Sequence, residues 1–191
     1  MVYSDSNKFI FLAVPKTGSK SMQFFLQDYG KRSQTGWVPN HDTYEQVKKL
    51  LGDQKFEDYF KFAFFRNPWS RMISVFFYNI HKHKYPTDKK GVIKWLNDYR
   101  EYDDFAPYIF DKNGNVALDF IGKLENVEKD VKVVCEKLNI PPPEKMPHKG
   151  KVSTGGRLHY TEYYDEPLIK KIGDMFSNSL SVLKYEFGDG V

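Results

Sequence analysis

A single cysteine, Cys135, leaves this 191-residue chain without an internal disulfide. It falls in an apolar helical pattern with Val131, Val134 and Leu138, which predicts a buried structural thiol. Long apolar runs are missing as well. The longest near the start, Phe9 to Val14, is six residues, against the roughly 20 that a bilayer-crossing helix needs, and no signal-peptide core follows Lys8. The expectation is a soluble, cytoplasmic protein without a membrane span. There is no unbroken Lys/Arg block, and a net charge of +4 interspersed with acids does not call for nucleic acid. Metal-ligand spacing is lacking too: His81 and His83 flank Lys82 on a predicted helix, where positions i and i+2 face apart. No repeat or linker divides the sequence, and 40% hydrophobic with 17% aromatic residues suits one domain, 1–191, with a sizeable core.

What the chain does carry begins near its start. Residues 11–22 read Phe-Leu-Ala-Val-Pro-Lys-Thr-Gly-Ser-Lys-Ser-Met, an apolar run that breaks into a small turn and then resumes as Gln-Phe-Phe-Leu. This predicts a strand, an anion-binding loop and a helix start. Helix N-terminal N–H groups carry partial positive charge, and Lys16, Ser19, Lys20 and Ser21 add side-chain donors. The segment is not a Walker A loop, which needs a glycine at Ala13 or Val14 and a Gly-Lys-Ser/Thr end. A second junction follows. Residues 60–65 form an apolar strand running into Arg66, and Asn67-Pro68 starts a helix. Arg66 then lies at a strand's carboxyl end, where α/β folds bind ligands. The eight residues from Arg66 to Ser74, a strand end and about two helical turns, suit a guanidinium and a hydroxyl on one phosphate group.

Pro15-Lys16-Thr17-Gly18-Ser19-Lys20-Ser21 resembles the loop with which sulfotransferases hold the 5′-phosphosulfate of 3′-phosphoadenosine-5′-phosphosulfate (PAPS), with Lys20 where that family usually has threonine. Arg66-Asn67-Pro68-Trp69-Ser70-Arg71-Met72-Ile73-Ser74 resembles the family's Arg-x-Pro-x-x-Arg-x-x-Ser signature for the 3′-phosphate. Asp119-Phe120-Ile121-Gly122-Lys123-Leu124-Glu125-Asn126, and the end from Tyr160 through Tyr185-Glu186-Phe187, are similar to further family segments. The resemblance spans nearly the whole chain and is to the carbohydrate-type, family 2-like sulfotransferases.

That resemblance implies an enzyme moving the sulfuryl group of PAPS in line to a hydroxyl of a carbohydrate or glycoconjugate, releasing 3′,5′-adenosine bisphosphate, without a metal. The nucleotide-binding residues it implies are Lys16, Thr17, Gly18, Ser19, Lys20 and Ser21 at the 5′ end, Arg66 and Ser74 at the 3′-phosphate, and Ser153 and Thr154 from the charged 144–158 loop. That loop reads equally as a solvated surface segment. Lys16 is read as the charge that meets the leaving phosphate. His41 resembles a histidine that follows the family's first loop and helix and is read as the base, its near-neutral titration suiting the work; Asp42 and Glu45 are alternatives. Two other classes stay open. One is a P-loop nucleotide or small-molecule kinase, which needs magnesium ligands; the other is a catalytically silent binder of bisphosphonucleotide or glycan.

The fold class expected is α/β, a single P-loop-type domain with a central, mostly parallel sheet flanked by helices. Strands are predicted over 8–14 and 60–65. Helices are predicted over 19–29, over 43–52 with Asn40 or Asp42 as cap and Gly52 as stop, and over 68–83, 91–100, 127–138 and 165–178. Lys112-Asn113-Gly114-Asn115 reads as a hairpin turn between 108–110 and 116–118. Trp69, Phe76, Phe77 and Tyr78 read as core.

Overall fold

The computed structural model describes residues 1–32, 41–100, 104–149 and 157–190. In chain order, β1 (Val2–Ser4), β2 (Phe9–Leu12), α1 (Ser19–Leu26), β3 (Lys31–Arg32), α2 (Tyr44–Leu51), α3 (Asp53–Asp58) and β4 (Phe60–Phe65) come first. They are followed by α4 (Pro68–Tyr78), α5 (Lys89–Asp98), α6 (Ala106–Ile109), β5 (Phe120–Lys123), α7 (Val127–Leu138), α8 (Glu166–Met175) and α9 (Ser177–Leu183). Two compact units result, one of residues 1–65 and 105–150, the other of 66–104 and 151–191.

The first unit holds the whole sheet, in the order β3-β1-β2-β4-β5. β2, β4 and β5 run parallel, whereas β1 pairs antiparallel with both β2 and β3. The sheet is therefore mixed, not mostly parallel, because two short strands ahead of and behind the first loop, Val2–Ser4 and Lys31–Arg32, extend one edge. β2 is buried along its whole length and β4 from Lys61 onward, which is why both read as continuous apolar runs instead of alternating ones. Phe9, Phe11, Phe62 and Phe64 share one core cluster with Met22 and Leu26 of α1 and Val131, Val134, Cys135 and Leu138 of α7. Cys135 is 1% exposed, as its pattern predicts, and burial pushes its thiol up to about 11.

The segment 119–126 is explained by what it ties together. Asp119 Oδ2 accepts from the Lys61 N–H at 2.7 Å and pairs with Lys61 Nζ at 2.9 Å, stapling β5 to β4. Gly122 lies under the Phe64 ring, so close that a Cβ would stand 2.6 Å from Phe64 Cε1. The Lys112–Asn115 turn forms, with Asp111 Oδ1 accepting from Asn113 and Asn115 N–H at 2.8 Å each. Its flanks, however, are a single bridge, Phe110 to Val116, because residues 106–109 take the short helix α6.

The second unit is helical among its described residues. Within it α4 is buried at nine of its eleven positions, Ser74 and Tyr78 being the exceptions, so it serves as the unit's axial helix. Trp69 Nε1 donates to the Ile169 carbonyl at 2.9 Å, Tyr164 donates to the Trp69 carbonyl at 2.9 Å, and Phe187 sets its ring against Trp69, Tyr160 and Tyr164. Trp69, Phe76 and Phe77 are core as expected, but Tyr78 is 51% exposed. α4 stops at Tyr78 instead of 83 because Asn79 caps it and His83 turns back, donating Nε2–H to the Phe76 carbonyl at 3.1 Å. The helix expected over 165–178 is two helices, broken where Phe176 leaves helical geometry with its ring fully buried.

Gly122→Ala is expected to lower stability by about 1–3 kcal/mol, the range for forcing an extra methyl into a packed core; a lower urea midpoint at unchanged m-value is the reading that checks it.

Candidate functional site

β2 delivers the chain to Ala13 and Val14, both fully buried, and the loop then reaches α1 through two left-handed residues, Lys16 at φ 64° and Gly18 at φ 77°. Such a conformation strains lysine and suits glycine. Gly18 is fixed on a second count, since a Cβ there would stand 2.7 Å from Leu124 Cδ1, the residue that follows β5. As the N-cap of α1 it brings no side chain to cover the first-turn N–H groups. Thr17, 1% exposed, donates its hydroxyl to the Val14 carbonyl at 3.0 Å and so ties the loop internally. Ser19 is buried at the start of α1, Lys16 is half-buried, and Lys20 is exposed. The Ser21 hydroxyl accepts from the Lys149 N–H at 3.0 Å, and the Lys149 ammonium sits 4.1 Å over the Phe24 ring. The incoming end of the predicted 144–158 loop is thereby fastened to α1. Ser153 and Thr154 lie outside the described residues.

His41 is brought to this same loop. Its Nδ1 is 2.6 Å from the Ala13 carbonyl. A carbonyl only accepts, so Nδ1 carries the hydrogen and Nε2 keeps its lone pair. Burial lowers the imidazole pKa below its ordinary value; the bond to Ala13 opposes this, and the positive charges of the N-terminal ammonium and Lys20 reinforce it. His41 is held neutral and in one tautomer. Tyr108 adds a second tie, donating to the His41 carbonyl at 3.3 Å. Of the alternative bases, Asp42 faces the Met1 ammonium at 3.4 Å, and Glu45 is exposed in the first turn of α2. The cap of that helix is Thr43, which forms a capping box with Gln46, and not Asp42; Asn40 is outside the described residues.

In the helical unit, Arg66 donates Nε and Nη2 to one acceptor, Ser70 Oγ, at 2.9 and 2.7 Å. Asn67 fixes the helix start below it: its Oδ1 accepts from Ser70 N–H at 3.2 Å and its Nδ2 donates to the Glu186 carbonyl at 2.8 Å. Ser74, half-buried, lies one turn beyond Ser70 on the same helix face. Sequence reasoning had Arg66 and Ser74 but passed over Ser70, whose position four residues after Arg66 was the available signal. Arg157, further along, stacks its guanidinium 3.8 Å over the Phe77 ring.

Among the described residues no three His, Cys, Asp or Glu side chains are placed to hold a metal ion. Among the same residues no helix is long and apolar enough to cross a membrane. The groups gathered at residues 13–21, a lysine, hydroxyls and a helix start with no side-chain cap, have the donor chemistry of an anion site.

An uncharacterized protein of Archaeoglobus fulgidus is 28% identical over 98 residues, which are 50% of this chain and 80% of that protein. No solved structure matches. A family model described as "Sulfotransferase family" matches residues 1–186, nearly the whole length. The chain belongs to the sulfotransferase family.

Proposed function

We propose that the chain, as one sulfotransferase domain over 1–191, transfers the sulfuryl group of PAPS to a hydroxyl of a carbohydrate or glycoconjugate. Membership of the family supports sulfuryl transfer in general. The observation that carries the finer reading is His41, whose Nδ1–H is bound by the carbonyl of Ala13 at the root of the anion loop, leaving Nε2 as the basic atom.

The donor set fits a phosphosulfate: the loop 15–21 offers positive charge and N–H groups around a glycine that a Cβ would crowd against Leu124. PAPS, when bound, supplies the sulfuryl group and leaves as 3′,5′-adenosine bisphosphate. Lys16, Thr17, Gly18, Ser19, Lys20 and Ser21 receive the 5′ end; Thr17 and Ser21, tied to Val14 and Lys149, act first by shaping the loop. Arg66, pre-oriented by Ser70, receives the 3′-phosphate with Ser74. Ser153 and Thr154 complete the nucleotide contacts, as the family resemblance implies. His41 takes the acceptor hydroxyl's proton at Nε2 while the acceptor oxygen bonds to sulfur. Lys16 meets the negative charge that develops on the departing phosphate oxygen. The scheme uses no metal.

Calorimetric titration with 3′,5′-adenosine bisphosphate, run beside magnesium-ATP, tests the donor site. Tight binding of the bisphosphate is expected, weakened roughly ten- to hundredfold in Lys16→Ala and in Arg66→Ala, since a charge-assisted hydrogen bond contributes about 1.5–3 kcal/mol. Preference for magnesium-ATP would move the chain to the kinase class. Binding without transfer across a broad acceptor panel would make it a silent binder.

His41→Ala is expected to cut turnover by roughly 10²–10⁴-fold while bisphosphate affinity stays unchanged. Because the folded-state pKa of His41 is lowered, the base is lost only as pH falls below the usual histidine value of about 6.5. The acidic limb of kcat/KM should therefore lie below that value in the parent enzyme. A parent profile with its acidic limb above it would remove His41 as the base.

A further inference from the structure

His41 stands where the chain has no regular element to hold it. Residues 41–43 belong to neither helix nor strand, and among the described residues no bond between two main-chain groups involves residue 41. The bond from Nδ1–H to the Ala13 carbonyl, at 2.6 Å, fixes one point of the ring. A single hydrogen bond leaves the ring free to pivot about the donor–acceptor axis. That pivot would carry Nε2, the atom that has to meet an acceptor hydroxyl, away from any one place. The second point of attachment is on the main chain, where the Tyr108 hydroxyl donates to the His41 carbonyl at 3.3 Å.

Tyr108 is itself well anchored. It belongs to the four-residue helix α6 and lies between Phe105 and Ile109, both fully buried. Phe105 sets its ring edge-on against Phe65, the last residue of β4, with centroids 5.2 Å apart. The Ile109 carbonyl accepts from the Ala117 N–H at 2.8 Å. Since β4 pairs with β2, and β2 leads into Ala13, the two anchors of His41 are carried by adjacent strands of one sheet. All of these residues belong to the first unit.

We propose that Tyr108 is a positioning residue: by holding the main chain of His41, its hydroxyl keeps the imidazole on the Ala13 carbonyl and Nε2 in one orientation. The catalytic consequence rests on the reading of His41 as the base; the placement of the ring does not.

Tyr108→Phe removes the hydroxyl and keeps the aromatic ring. Nitrogen NMR of the histidine rings, on the full chain without nucleotide and with His41→Ala to identify the signal, is read at about pH 8, where imidazole is neutral. The parent should show His41 as the Nδ1–H tautomer alone, and Tyr108→Phe should show both tautomers. The charged groups that face the imidazole, the Met1 ammonium, Lys20 and Asp42, are unchanged by the substitution. The variant's titration should therefore move up toward the usual value of about 6.5 as the ring gains water. A tautomer and a titration that stay as in the parent would overturn the proposal. In turnover, Tyr108→Phe is expected to lower kcat about five- to tenfold with bisphosphate affinity and acceptor KM unchanged. It should cost nothing further in a His41→Ala background; an equal loss in both backgrounds would make its role merely structural and overturn the proposal. A His41→Ala chain as active as the parent would sink the base reading alone, and the NMR result would still decide what holds the ring.

Discussion

The loop between β2 and α1 depends first on the parallel pairing of β2 with β4. The two run in register from Phe9 beside Phe60 to Leu12 beside Ala63, and β2 is buried throughout, so its backbone groups have no recourse to water and must be satisfied by neighbouring strands. Parallel strands end at the same edge of a sheet. β5, paired parallel with β4, ends there too, and this is how Leu124 comes to lie against Gly18. The loop's conformation is thus set from outside as well as by its own sequence: a side chain at position 18 would collide with a residue more than one hundred positions away. Thr17 and the Ala13 carbonyl then turn the loop's interior into a fixed frame, one end tied to itself and the other holding the His41 ring.

The parts of this arrangement legible in the sequence are those with a strong local signal. β4 at 60–65 and α7 at 127–138 have the bounds their patterns predict, one from an unbroken apolar run, the other from 3.6-residue periodicity stopped by Asn139 in a left-handed cap. β1 and β3 were not legible, because two or three residues carry no period and their strand character comes from pairing. α4 looked longer than it is because residues 79–83 contain nothing that forbids a helix; a tertiary bond from His83 ends it. The same limit applies in the site. The loop and Arg66 stand out by residue type, whereas the anchor of His41 is a main-chain carbonyl and leaves no mark on the sequence. Ser70 did leave one, four residues after Arg66.

Polar side chains in this protein fix elements more often than they decorate its surface. Asp119 binds a backbone N–H and an ammonium across two strands, and Asp130 accepts from the Lys123 N–H at 2.7 Å where β5 gives way to α7. In the helical unit Lys171 donates to the carbonyls of Leu96, Asn97 and Tyr99, closing the end of α5. Burial lowers that lysine's pKa. The carbonyls at the end of α5 are satisfied all the same.

The Asn67 side chain joins the start of α4 to the Glu186 carbonyl, and Phe187 completes the aromatic packing around Trp69. During synthesis from the N-terminus these partners are made more than one hundred residues after the helix they hold. A nascent chain therefore carries the Trp69 face of α4 without these partners until residues 186 and 187 have been made, so that side of the helical unit cannot close before them.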